Sequence, residues 1–463
     1  MISGMLRPDT PQATAGDQIA AATAAGASAR TAGSRFRSWA DRGLFPLITI
    51  LGLLGIGMGA TISWGPAIMH HTEWAVPHDL WGTLVAAQRL ARLNLAGLYT
   101  QPTGLITFPG AALILAPLAA ISDAAGLTLQ VPGPGLPHPS EWLLAGPYIV
   151  LLSSVAIFAA DALARRLAIS LPKRALLAVT SSVVLWNVSI QWGHPEDAVA
   201  VGLFLYGALA LAGPGAGPAG APATAGPPRP AVAAWLIGAG IAVQPLVLLP
   251  LPFVLMLLPP RRLPGFLARA AAPAALLLGS AAAANFSATI SAVTSQPNWP
   301  TVDHPSPWLF LAPSSGGGAV AAGPARLLAI AVACACALIA GRRWRAERQA
   351  VRRLSDRRLT ELLWWIAVAF ALRCVFESVM VAFYLWPALA VALIPAARGW
   401  VRELGAFVPA ALLTFVSQAS FGGTWRWWLP MMAGLILTLG FARPAASSRP
   451  RLTHRAGGLP AGR

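Results

Sequence analysis

The chain has 463 residues, of which 56% are hydrophobic and 11% charged, with a mean hydropathy of +0.63. Soluble domains carry about 25% charged residues, so this chain cannot clothe a water-facing surface, and a soluble enzyme is excluded in favour of a polytopic membrane protein. The formal charge of +17 does not imply a nucleic-acid partner, because the arginines gather in short clusters between apolar runs and so read as topology signals. Lys173 is the single lysine, and with the excess of Ala, Gly and Pro this suits a GC-rich bacterial genome such as an actinobacterium's. Cys334, Cys336 and Cys374 fall inside apolar runs and read as packing residues.

In chain order, residues 1–44 read as a disordered cytoplasmic tail, 45–442 as one transmembrane unit and 443–463 as a second cytoplasmic tail. A span needs about 17–25 apolar residues, and short Arg-rich loops face the cytoplasm. Residues 45–66 then cross outward, and 67–141 form a long first external loop. Within it, 80–97 is amphipathic and 105–121 is apolar but short and broken by Pro109 and Pro117. Both are assigned as juxtamembrane helices, since a crossing at 105–121 would turn Arg165, Arg166, Lys173 and Arg174 outward; a full crossing there is the alternative. Spans follow at 142–164, 175–191 and 196–213, then a Gly/Pro-rich linker at 212–230. A hairpin at 231–259 is broken at Gln244-Pro245, 267–285 crosses outward, and 286–323 forms a second external loop. The return at 324–341 meets a basic loop, 342–358, with eight arginines, and four spans close the chain at 360–377, 379–397, 404–422 and 424–442. The expectation is an all-α polytopic protein of twelve spans in the plasma membrane, both termini inside.

On this map the remaining ionisable groups crowd one face. Six of seven histidines and eight of sixteen acids fall outside. The densest motif is Gly193-His194-Pro195-Glu196-Asp197, at the start of a helix; its acids are either a capped helix start or a ligand site. In Pro77-His78-Asp79, Asp79 is either an N-cap or a catalytic base. Asp303-His304 lies in a Trp- and Pro-rich loop whose aromatic planes suit sugar faces or serve as interfacial anchors. Arg373 and Glu377, one turn apart near the outer end of a span, read as a local ion pair or as a site for a lipid phosphate, with Tyr384 and Trp386 of FYLWP beside it. No nucleotide-binding loop or HExxH occurs, so a sugar donor would have to be membrane-borne.

This layout resembles the GT-C-type integral membrane glycosyltransferases. Asp79 matches the essential acid of their first external loop by position, and His194, Glu196 and Asp197 match the second acidic motif. LITFPGAALILAP is similar to the Pro-bearing helix many members carry after the first acid, and AWLIGAGIAVQP to a glycine-rich helix ending in Lys-Pro, with Gln244 in place of the lysine. GHPEDA, TVDHPSPW and FYLWP resemble segments of actinobacterial membrane proteins of unassigned acceptor. The resemblance implies inverting transfer of mannose or another sugar from a polyprenyl-phosphate donor to a glycan or glycolipid acceptor at the outer face. Asp79 would be the base, with Glu196 and Asp197 as further catalytic acids. Arg373, Arg89 or Arg92 would neutralise the departing phosphate, or a divalent cation (Mg²⁺, Mn²⁺ or Ca²⁺) on Glu196 and Asp197 would do so. His78, His194, Asp303, His304, Glu377 and Tyr384 complete the expected substrate-binding set. The rival expectations are a transporter or flippase, in which the break at Gln244-Pro245 marks a substrate path, and an envelope scaffold whose acids are dispensable.

Overall fold

In the computed structural model, residues 43–55, 78–100, 105–126, 142–213, 228–301, 303–348, 354–419 and 423–445 are described. The chain is mainly helical: α1 (Leu44–Gly55), α2 (His78–Ala91), α3 (Gly110–Ala124), α4 (Trp142–Arg166) and α5 (Leu171–Trp186), which ends in a π-turn over Asn187–Gln191, come first. α6 (Pro195–Ala212), α7 (Pro230–Val243), α8 (Leu251–Leu255), α9 (Leu263–Ala284) and α10 (Phe286–Ser295) follow. α11 (Gly323–Arg348), α12 (Asp356–Phe376), α13 (Trp386–Ala396), α14 (Trp400–Val416) and α15 (Thr424–Ala442) complete the chain.

Five helices are long and apolar enough to cross a membrane: Leu144–Arg166, Pro195–Ala212, Pro260–Ala284, Gly323–Trp344 and Asp356–Phe376. Several other expected spans are shorter or interrupted. α7 is 14 residues, ~21 Å by helical rise, and stops because Pro245 forces Gln244 into an extended conformation (φ −151°, ψ 116°). The chain resumes through a 3-10 turn at Pro245–Leu248 and the short α8. The stretch 379–397, expected as one span, is instead a strand, a 3-10 turn at Ala382–Leu385 and the 11-residue α13. The basic loop expected over 342–358 is partly helical, since α11 continues to Arg348.

The all-α expectation also needs amendment, because the second loop carries two ribbons. β1 (His304–Pro305) pairs antiparallel with β4 (Val379–Met380), and β2 (Ser314–Gly316) with β3 (Ala319–Val320). The first ribbon ties this loop to the junction between α12 and α13.

Small residues set the helix packing, as expected where lipid supplies no hydrophobic drive between helices. α6 lies between α4 and α7, with Gly202 against the backbone of Val155 and Ala156. α7 packs on α9 through Gly238, where an added Cβ would lie 2.6 Å from the Ala270 carbonyl oxygen. α12, α13, α14 and α15 form a second group, joined to the first through α5.

α2 and α3 have their own apolar core, built on Leu80, Leu84, Leu115 and Leu118. Arg92, just past α2, pairs with Asp123 at the end of α3 (3.0 Å), so the two helices run side by side in the same direction. The first turn of α2, which carries Asp79, therefore lies at the same end as the start of α3. There Gly110 lets the chain press on the Ala242 carbonyl of α7, a contact a Cβ would block.

At the opposite end, arginines lock helices together. Arg166 donates to the carbonyls of Gly213 and Leu354 (both 2.8 Å) and to Asp356 (2.5 Å). Arg174 is buried and forms a two-pronged pair with Asp161 (2.9 and 3.1 Å). Residues read as loop charges thus hold α4, α5 and α12 in register.

Candidate functional site

Helix α6 starts at Pro195, with His194 as its N-cap residue, so Glu196 and Asp197 occupy its first turn, where the positive end of the helix dipole favours acids. That explains why two acids sit there, but not why they are buried: Glu196 is 2% and Asp197 0% exposed. Their partners are specific. His194 Nδ1 is 2.6 Å from Glu196 Oε1, and the His194 ring stacks on Phe383 at 4.0 Å between centroids. Gln244 Nε2 donates to Asp197 Oδ1 (2.8 Å), while Gln244 Oε1 accepts from the Thr107 hydroxyl (3.0 Å). Each acid thus has one oxygen engaged. Among the described residues, Glu196 Oε2 and Asp197 Oδ2 are buried and have no hydrogen-bond partner.

Arg373 approaches from α12. Its guanidinium lies over the Tyr384 ring at 3.6 Å from the centroid, and it is within electrostatic reach of Asp197. The Arg373–Glu377 pair expected from spacing is present (Nε to Oε2, 3.6 Å), but it is part of a larger arrangement. Arg326, at the start of α11, donates to Glu377 Oε1 (2.9 Å) and to Gln296 Oε1. Gln296 Nε2 in turn donates to the Ile106 carbonyl (3.2 Å). Arg373 Nη1 is buried and has no partner among the described residues. Glu377 Oε2 is likewise buried without a hydrogen-bond partner, and a buried cationic N–H with three such carboxylate oxygens is costly unless a ligand engages some of them.

Hydrogen bonds and ion pairs thus join Thr107, Gln244 and Asp197 in one chain and Arg373, Glu377, Arg326, Gln296 and Ile106 in another, with Asp197 and Arg373 within electrostatic reach of each other. Gln296 holds φ at +31°, an uncommon conformation for a side chain other than glycine and one that clusters at functional positions.

The second loop caps the same end. His304 stacks on Trp427 at 4.1 Å between centroids, Trp308 Nε1 donates to the Val375 carbonyl (2.6 Å), and Asp303 is within electrostatic reach of Tyr384. Burial holds the His304 imidazole below the ordinary histidine range, partly offset by a hydrogen bond with the Ser417 backbone.

Of the residues expected from sequence, His194, Glu196, Asp197, Arg373, Glu377, Tyr384 and Asp303 come together, and His304 caps them. Arg89 and Arg92 stand apart. Arg89 caps the carbonyls of Gly97 and Thr100, and Arg92 is an exposed partner of Asp123. The side chains of His78 and Asp79 lie outside the described residues. For a cation, Glu196 and Asp197 have one unengaged oxygen each, and among the described residues no three His, Cys, Asp or Glu side chains are placed to hold a metal ion.

Thr107, Gln244, Gln296 and Arg326 were not among the expected site residues. A signal existed for Arg326, which is isolated at the end of a span away from every basic cluster and so needs a partner. No protein-family profile, curated protein or solved structure matches the chain.

Proposed function

We propose that the chain is a plasma-membrane glycosyltransferase of GT-C type that spans the bilayer about twelve times and faces outward with its site. On this reading it transfers a sugar from a polyprenyl-phosphate donor to a glycan or glycolipid acceptor. The observation that carries the reading is that Glu196 and Asp197, neighbours in the chain, each bury a carboxylate oxygen without a hydrogen-bond partner among the described residues, while Arg373, within electrostatic reach of Asp197, buries an N–H group likewise without one. Hydroxyl donors of a sugar match the former, and a phosphate oxygen matches the latter.

The chemistry is a single displacement. A carboxylate takes the proton of the acceptor hydroxyl, whose oxygen forms a bond to the anomeric carbon. The bond from that carbon to the donor's phosphate oxygen breaks, the phosphate leaves with the electron pair, and configuration inverts. Asp197 has the free oxygen for this step, and Asp79 is a second candidate from the first turn of α2 at the same end. Arg373 steadies the charge that grows on the leaving phosphate.

Membranes containing Asp197→Asn, Glu196→Gln or Arg373→Gln, assayed for transfer from polyprenyl-phosphate mannose and other polyprenyl-phosphate sugars, test the reading. Losses of about 100-fold or more are expected for Asp197→Asn. Full transfer in all three variants would remove the reading.

The second reading is a transporter or flippase for a lipid-linked envelope precursor. It is favoured by two helices interrupted at the same end, at Gln244 and over 377–385. Translocation of a fluorescent polyprenyl-phosphate sugar in proteoliposomes, without transfer to any acceptor, would select it.

A further inference from the structure

We propose that Thr107 and Gln244 are positioning residues that act through Asp197, fixing which of its oxygens is presented to the ligand. The catalytic consequence rests on the transferase reading above; the geometry does not.

The relay has one direction. A carboxylate accepts only, so Asp197 Oδ1 takes the amide N–H of Gln244 (2.8 Å). The amide's other end is then an acceptor, and the Thr107 hydroxyl must donate to it (3.0 Å). Both polar ends of Gln244 are thereby engaged, each through one bond; Asp197 Oδ2 remains unengaged among the described residues.

The backbone holds each member in place. Gln244 leaves the helical path because Pro245 follows it, which turns its side chain off the end of α7. Thr107 reaches it because Gly110 permits close approach to the last turn of α7. Thr107 is also restrained on both sides: its carbonyl accepts from the Tyr99 hydroxyl (2.8 Å), and the neighbouring Ile106 carbonyl accepts from Gln296 (3.2 Å). The hydroxyl therefore has little freedom to turn elsewhere. Segments 47 and 137 residues away from Gln244 meet at its one side-chain amide.

Gln244→Leu, Thr107→Val, Thr107→Ser and the double Gln244→Leu/Thr107→Val variant test this on two readouts. The first is transfer in membranes. Gln244→Leu should lower kcat about tenfold or more while KM for the donor stays within about threefold, since the ligand loses no direct contact. Thr107→Val should move the same parameter in the same direction, Thr107→Ser should restore it, and the double variant should be no worse than Gln244→Leu alone. The second readout needs no substrate: dicyclohexylcarbodiimide labelling of Asp197, followed by peptide mass spectrometry. Uncapping Oδ1 should raise labelling about threefold or more in Gln244→Leu and Thr107→Val but not in Thr107→Ser. Glu403, a buried carboxyl at the opposite end, should not change and serves as the internal control.

Unchanged labelling in Gln244→Leu and Thr107→Val overturns the relay, as does additive loss in the double variant. If wild-type membranes transfer no sugar while Asp197 labelling responds as expected, the relay stands and the transferase reading fails. If Gln244→Leu does not fold, the Val/Ser pair at Thr107 decides.

Discussion

Buried charges at the site end are arranged so that each helper also needs help. Glu377 is 1% exposed and is held by Arg326, whose own side chain is 32% exposed. Replacing Arg326 with Gln takes a charged donor from a buried carboxylate and should lower stability by about 1–3 kcal/mol. Unfolding in mild detergent, followed by circular dichroism, measures the loss, and adding Glu377→Gln should recover much of it, because the carboxylate left without its donor is then neutral. An equal loss in single and double variants would contradict the pairing. His304 offers a pH test. Its folded-state pKa lies below the ordinary value, so the unfolded chain binds the proton more readily. The stabilisation is full above about pH 6.5 and is lost as pH falls through that value towards the folded pKa. Tryptophan fluorescence of the Trp427 stack should report loop release on acidification, and His304→Gln should remove the transition. A transition of the same size in that variant would assign it elsewhere.

The helices themselves depend on glycines that no hydropathy plot singles out. Gly110 is read naturally as part of an apolar stretch, yet its lack of a Cβ is what brings α3 against α7. Gly110→Ala should displace the 105–109 segment, break the Thr107–Gln244 bond and reduce transfer about as far as Gln244→Leu does. Gly279→Ala, where a Cβ meets nothing within 4 Å, is the matched control and should be silent. Where elements were legible in the sequence, the signal was local. Pro245 predicted the break after α7, and the apolar run 424–442 coincides with α15, Thr424–Ala442. Where they were not, a tertiary contact intervened. The start of 379–397 is drawn into a ribbon by His304 and Pro305, a pairing that apolar composition cannot signal.

At the scale of the whole molecule, polar groups divide between two ends. One end holds Glu196, Asp197, Glu377, Arg373 and the capping loop; the other holds Arg166, the buried Arg174–Asp161 pair, Glu403 and the exposed Arg342 and Arg343. With the native cysteines replaced by serine, an impermeant maleimide applied to whole cells should label Ser314→Cys, in the exposed β2 strand, and should not label Arg342→Cys. The reverse result would turn the site towards the cytoplasm and end the reading of an outward-facing transferase.

Composition alone pointed to a membrane protein, because 11% charged residues cannot cover a protein in water, and five helices long and apolar enough to cross a membrane agree with it. Sequence also marked the GHPED acids and the Arg373–Glu377 spacing, since helix starts and i, i+4 neighbours are local features. What it could not decide was which acids keep an oxygen free. That depends on Thr107, Gln244, Gln296 and Arg326 arriving from distant segments, and side-chain pairing across such separations leaves no period or motif in the chain. Only the packed helices, by burying these groups beyond the reach of water, determined which of them are satisfied and which remain open to a ligand.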